Sequence, residues 1–134
     1  MSLLRLIVLL LFSATAFAQN PEWIWLAEER DGEEIAFTTT IRISEVPEQA
    51  NWQVTGDFAR VRAELNGEFV GLVEAFDPVA IWDVRKHLQP GANELKLIAT
   101  GVEGPSAIAA RLDLDKRKVL TEEFSSSAPV VLKG

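Results

Sequence analysis

Acidic side chains are the first candidates for chemistry in this chain. Glu28, Glu29, Asp31, Glu33 and Glu34 crowd one short stretch. Glycoside hydrolysis uses two carboxylates held about 5–9.5 Å apart across a scissile bond. With 20 Asp and Glu in the sequence, no pair is singled out by spacing. The acidic stretch reads as a solvated loop. A structural calcium ion is the alternative, since hard cations gather several oxygen ligands, but the spacing matches no EF-hand loop. No cofactor is called for. His87 is the single histidine, so any Ser–His–Asp site would need it. No G-x-S-x-G accompanies it; Gly104-Pro105-Ser106 lacks the closing glycine. His87 is expected exposed, at the end of one helical turn whose dipole suits its partial charge. One His and no Cys do not make a zinc site. The sequence therefore reads as non-catalytic.

Aromatic residues offer binding rather than catalysis. An exposed ring can stack on the apolar C–H face of a sugar, and a buried one fills the core. There are four tryptophans: Trp23, Trp25, Trp52 and Trp82. Trp23 and Trp25 alternate on one face, and one of them is expected at the surface. Trp52 lies between polar residues and is expected half-buried. Trp82 is assigned to the core. The loop Glu74-Ala75-Phe76-Asp77 falls between strands, where sandwich modules present binding surfaces. Phe76 could stack on a sugar and Asp77 hydrogen-bond it, against the plainer reading that the loop folds back on the core. The candidate ligand-binding set is Trp25, Trp52, Phe76 and Asp77.

These residues must be carried by one domain, because 134 residues suffice for one and not two. The first 18 residues read as a secretory signal. Arg5 gives a positive start, Leu6 to Phe12 is unbroken apolar, and Ala16-Phe17-Ala18 is a cleavage site. The apolar run falls short of the roughly 20 residues that span a bilayer. Export to a periplasmic or extracellular space is expected, with no stable membrane insertion afterwards. Absence of Cys excludes a disulfide scaffold. The formal charge of −7 argues against nucleic acid, because neutralising phosphates takes clustered Lys and Arg. The one basic cluster, Lys116-Arg117-Lys118, is flanked by acids.

The pattern behind them is β. Glu34 to Ile43 alternates with Ile35, Phe37, Thr39, Ile41 and Ile43 on one face, the period of a half-buried strand. Trp52 and Val54 begin a second strand that ends near Gly56-Asp57. Val61, Ala63 and Leu65 alternate with Arg60, Arg62 and Glu64. Asn66-Gly67 is a hairpin signal, since both turn positions favour positive φ. Its turn chemistry accounts for it without a ligand. Phe69 to Val73 returns. Asp83 can cap one helical turn over residues 84–87, with Leu88 packing inward. Pro90-Gly91 fits a type II turn. Glu94 to Thr100, Ala107 to Leu114 and Lys118 to Phe124 complete the strands. Residues 19–124 are expected to form the domain, and 125–134 a linker or the start of a further strand. Short strands divided by turns predict an all-β antiparallel sandwich.

ELNGEFVG at 64–71, followed by IWDVRKHLQPGANELKLIA at 81–99, resembles the galactose-binding-like jelly-roll domain. Asn66, Gly67 and Gly71 match its first part; Trp82, Asp83, Val84, Leu88, Gly91, Asn93 and Leu95 match its second. Such domains include the sugar-binding domain of family 2 glycosidases, modules of bacterial α-L-rhamnosidases and modules near the start of exported planctomycete-type proteins. The resemblance spans roughly residues 21–124 and concerns residues that shape turns and fill the core. It implies an exported module that binds carbohydrate or other protein domains. It also allows an N-terminal accessory domain of a glycoside hydrolase, or an assembly module of an envelope protein with no small ligand. The barrel that carries glycosidase chemistry is not in this sequence.

Overall fold

The alternation is realised in two sheets. A computed structural model describes residues 23–25, 34–102, 105–125 and 130–133. The strands are β1 (Ile24–Trp25), β2 (Glu34–Ile43), β3 (Ala50–Asp57), β4 (Ala59–Leu65), β5 (Glu68–Val73), β6 (Ala80–Asp83), β7 (Gly91–Gly101), β8 (Ala107–Leu114), β9 (Lys118–Leu120) and β10 (Val130–Lys133). A 3-10 turn covers Arg85–His87, and a short helix, α1, covers Thr121–Ser125. One sheet runs β1-β8-β3-β6, with β9 also pairing β8; the other runs β10-β2-β7-β4-β5. The described pairings are antiparallel. The chain is an all-β antiparallel sandwich, as its periodicity predicts.

Each sheet turns one face inward. In β3 every second residue is buried, from Ala50 through Trp52 and Val54 to Gly56. In β4 Ala59, Val61, Ala63 and Leu65 are buried. Phe37 and Ile41 of β2, Leu95 and Leu97 of β7, and Ile108 and Leu112 of β8 meet them in one core. Burying a large aliphatic side chain contributes about 1.5–3 kcal/mol, so this shared layer holds the two sheets together.

The structure corrects the placement of Trp52. It is fully buried, not half-buried, and its ring stacks on Phe124 with centroids 6.3 Å apart. Its polar sequence neighbours, Asn51 and Gln53, point to the opposite face. They flank Trp52 along the chain and not in space. Trp82, its partner across β3 and β6, is partly buried against the core. A Cβ built on Gly71 would lie 2.3 Å from the Trp82 ring. Glycine at 71 therefore leaves room for the indole that closes the seam between edge strands β5 and β6.

Ala80–Asp83, where the sequence shows no strand period, is a strand paired with β3. One further expectation changes. Lys118 to Phe124 read as one strand, yet it breaks after Leu120 into α1. There the Thr121 hydroxyl donates to the Ala110 carbonyl at 2.9 Å and accepts the Ala110 N–H at 2.8 Å. Glu123 accepts the Leu120 N–H at 3.2 Å, half of a capping box. Both contacts favour a helical turn over further ladder pairing. Val130–Lys133 pairs with β2. The expected signal segment and the acidic loop from Glu28 to Glu33 lie outside the described residues.

Candidate functional site

The two ends of the sandwich present different side chains. At one end, Asn66 and Gly67 close the β4–β5 hairpin with φ of 53° and 79°, as the turn type demands. The turn is not the whole role of Asn66. Its Nδ2 donates to the His87 carbonyl and to Asn93 Oδ1, both at 2.8 Å. Its Oδ1 accepts the Glu94 N–H at 2.9 Å. Asn93 is fully buried. Its Oδ1 also accepts the Gln89 N–H at 2.9 Å, and its Nδ2 donates to the carbonyls of Gln89 and Gly91. The two amides thus join the hairpin, the 3-10 turn and the start of β7. Burial without such partners would be costly.

His87 belongs to this network and is not exposed as expected. Its side chain is 11% exposed, with Nδ1 3.6 Å from a Glu68 oxygen. The hairpin folds across the 3-10 turn through the Asn66–His87 bond and covers the imidazole. Asp83 accepts the Arg85 N–H at 3.1 Å and two bonds from the Arg85 side chain, whose Nη1 donates to the Glu48 carbonyl at 3.2 Å. That backbone N–H, then the Arg85 guanidinium, holds the Asp83 carboxyl below its ordinary 3.8. A glycosidase general acid requires the opposite shift. Other carboxylates are matched to arginines: Glu74 to Arg60 at 2.8 Å, Glu64 to Arg62 at 2.7 Å, Asp113 to Arg111 at 3.1 Å. Among the described residues, no three of His, Cys, Asp or Glu converge on a point that could hold a metal.

At the other end the loops β3–β4 and β5–β6 bring two phenylalanines together. Phe58 and Phe76 meet edge to face, with centroids 5.0 Å apart and planes at 84°. Both have left-handed backbone, with φ of 51° and 70°. That conformation is uncommon outside glycine, asparagine and aspartate. Two hydrogen bonds to the Phe58 carbonyl fix its loop, from the Val102 N–H at 2.8 Å and the Ser106 hydroxyl at 2.7 Å. Phe76 is 68% exposed. Asp77 is exposed and closes its own turn: its Oδ2 accepts the Glu74 N–H at 3.0 Å while its N–H donates to the Glu74 carbonyl at 3.1 Å. Its Oδ1 has no hydrogen bond among the described residues.

Of the four candidate residues, then, Phe76 and Asp77 share one loop, and Trp52 offers no surface. Trp25 pairs with Ala107 in β1; its side chain is outside the description. Trp23 is 46% exposed. Phe58, the support of Phe76, escaped the sequence reading, because no periodic spacing connects residues 58 and 76.

No family model and no curated protein matches this sequence. Solved structures do. The α-L-rhamnosidase of Streptomyces avermitilis, complexed with L-rhamnose, superposes with a TM-score of 0.66 at 20% identity, over 75% of this chain and 11% of that one. The GH78-family rhamnosidase of Bacillus sp. GL1 gives 0.64 at 22%, over 75% and 12%. The lectin of Pleurotus ostreatus, complexed with GalNAc, gives 0.60 at 23%, over 75% and 32%. The chain thus matches a small part of each rhamnosidase and about a third of the lectin. Its antiparallel β-sandwich fold is shared with a part of each of these proteins. Among the described residues, no helix is long and apolar enough to cross a membrane.

Proposed function

We propose that this chain is a non-catalytic carbohydrate-binding module of an exported protein, with residues 19–124 as its domain. The observation that carries the reading is Phe76, 68% exposed and set edge-on against Phe58. A ring held out by strained backbone on a fixed support suits stacking on a sugar face. Asp77 Oδ1 lies beside it as an acceptor for a sugar hydroxyl. Trp25, on β1, remains part of the proposed set. The fold it shares with a rhamnosidase and a lectin, each solved with a sugar, supports the reading, although fold alone does not carry function.

The test is a glycan array probed with the purified chain, followed by titration calorimetry of any hit. Saturable binding lost in Phe76→Ala and weakened in Asp77→Ala is the expected result. No saturable hit from a cooperatively folding sample would overturn it. A second reading, an accessory domain within a glycoside hydrolase, is favoured by one finding: the rhamnosidases match over 11% and 12% of their length. It calls for the same surface, with substrate held for a catalytic domain elsewhere.

A further inference from the structure

The outer face of the β1-β8-β3-β6 sheet has an arrangement that strand alternation alone does not require. Two rows of outward residues cross it. One runs Ile81, Gln53, Arg111, Leu120, by the registers of β6, β3, β8 and β9. The other pairs Thr55 with Ala109. Continuing the registers by one residue sets Val79 beside Thr55 and Trp23 beside Ala109. In both rows the ends are large and apolar and the middle is small or polar. Val79 is 51% exposed, Ile81 62% and Trp23 46%. The face is therefore a trough along the strand direction. Its walls stand about 14 Å apart at the backbone, from three strand spacings of about 4.8 Å each. A groove of about 110 Å³ lies along the floor against Gln53, Thr55, Val79, Ala109 and Arg111.

The floor selects its occupant. Gln53 and Thr55 are half-buried, and neither side chain makes a hydrogen bond among the described residues. An apolar partner would bury both unanswered, which is costly. Arg111 is neutralised by Asp113, which accepts from its Nε and Nη2, both at 3.1 Å. No unpaired cation thus awaits an anionic ligand on the floor, and the chain's net charge of −7 opposes one. A neutral polyol meets both demands. Its hydroxyls answer Gln53 and Thr55, and its C–H faces lie on Val79, Ile81 and Trp23.

We infer that the trough binds a neutral, linear oligosaccharide along the strands. Phe76, in the loop just before Val79, receives the sugar at one end of it. This rests on the carbohydrate reading above and adds to it a site, a ligand charge and a ligand length. A module with Phe76 alone would grip a single sugar; one with the trough grips several in a row.

The test is calorimetric titration of the chain with neutral mono-, di-, tetra- and hexasaccharides of glucose, mannose, xylose, galactose and rhamnose. In the series that binds, Kd should fall at least tenfold from disaccharide to tetrasaccharide. Gln53→Ala should raise the tetrasaccharide Kd about tenfold. Thr55→Arg, which fills the floor, should do the same or more, and Gln53→Ala stands as the milder variant if Thr55→Arg fails to fold. Monosaccharide binding should be unchanged in both. Binding that is independent of length, lost in Phe76→Ala and untouched by the floor variants would overturn the trough and leave the carbohydrate reading standing. No binding in any series would overturn both.

Discussion

Asn66 and Phe76 hold the same unusual backbone at opposite ends of the sandwich, and they hold it for different reasons. At Asn66 the left-handed conformation comes with its remedy. Asparagine tolerates it, glycine follows, and the side chain is spent on His87, Asn93 and Glu94. At Phe58 and Phe76 the residue type opposes the conformation, at about 1–2 kcal/mol per residue. The edge-to-face contact between the rings returns roughly 0.5–1.5 kcal/mol. Phe76 remains exposed, so burial does not account for it. Strain where the side chain suits the backbone marks a structural joint. Strain where it does not marks a side chain kept for something outside the fold.

Breaking the joint should have the largest effect. Asn93→Ala removes four hydrogen bonds at once and leaves one Asn66 Nδ2 hydrogen and the Gln89 N–H unanswered. A loss of about 3 kcal/mol is expected, read as a lower urea midpoint at unchanged slope. Gly71→Ala comes next. Its Cβ meets the Trp82 ring, and the strain of overpacking should amount to about 2 kcal/mol. Trp82 emission should shift red as the indole is displaced toward water. Trp82→Leu combined with Gly71→Ala should recover part of that stability.

Phe76→Gly sharpens the contrast. Relief of left-handed strain and loss of the Phe58 contact nearly cancel, so stability should move by less than about 1 kcal/mol. Sugar binding should nevertheless disappear. A large fall in stability would make Phe76 a structural residue after all. The smallest effect concerns Asp83. Its carboxyl is held below 3.8 in the folded chain, so its contribution is present above that ordinary value and lost as pH falls through the lowered one. Asp83→Asn should flatten the acid limb of the melting temperature below about pH 3.8, with little change near neutrality. The pair is about half exposed and therefore screened.

Long alternating strands were readable from sequence because burial on one face imposes period two; β2 and β8 have the predicted bounds, Glu34–Ile43 and Ala107–Leu114. The Asn-Gly turn and the positive φ at Gly91 followed from residue chemistry. What escaped depends on partners distant in sequence. β6 has four residues, too few to show a period, and exists because β3 offers it a ladder. Trp52 was misplaced because chain neighbours were taken for spatial ones. The burial of His87 comes from a hairpin 21 residues earlier reaching over it. In the candidate site, Phe76 and Asp77 were visible as a loop between strands. Phe58 and the trough were not, since each is assembled from strands that only the sheet order brings together.

The Asn66–Asn93 joint also has a history. The β4–β5 hairpin is local, and hairpins form in about 1–10 μs. β7 must close a longer loop before it can pair with β4, and topology of that kind slows folding. The hairpin is expected to form first, and Asn93 to lock it to β7 when that strand arrives. Removal of Asn93 should speed unfolding and leave the folding rate nearly untouched in stopped-flow measurements. The joint then sets how long a molecule persists once folded, the timescale that governs loss to proteolysis when cleavage outpaces reclosing.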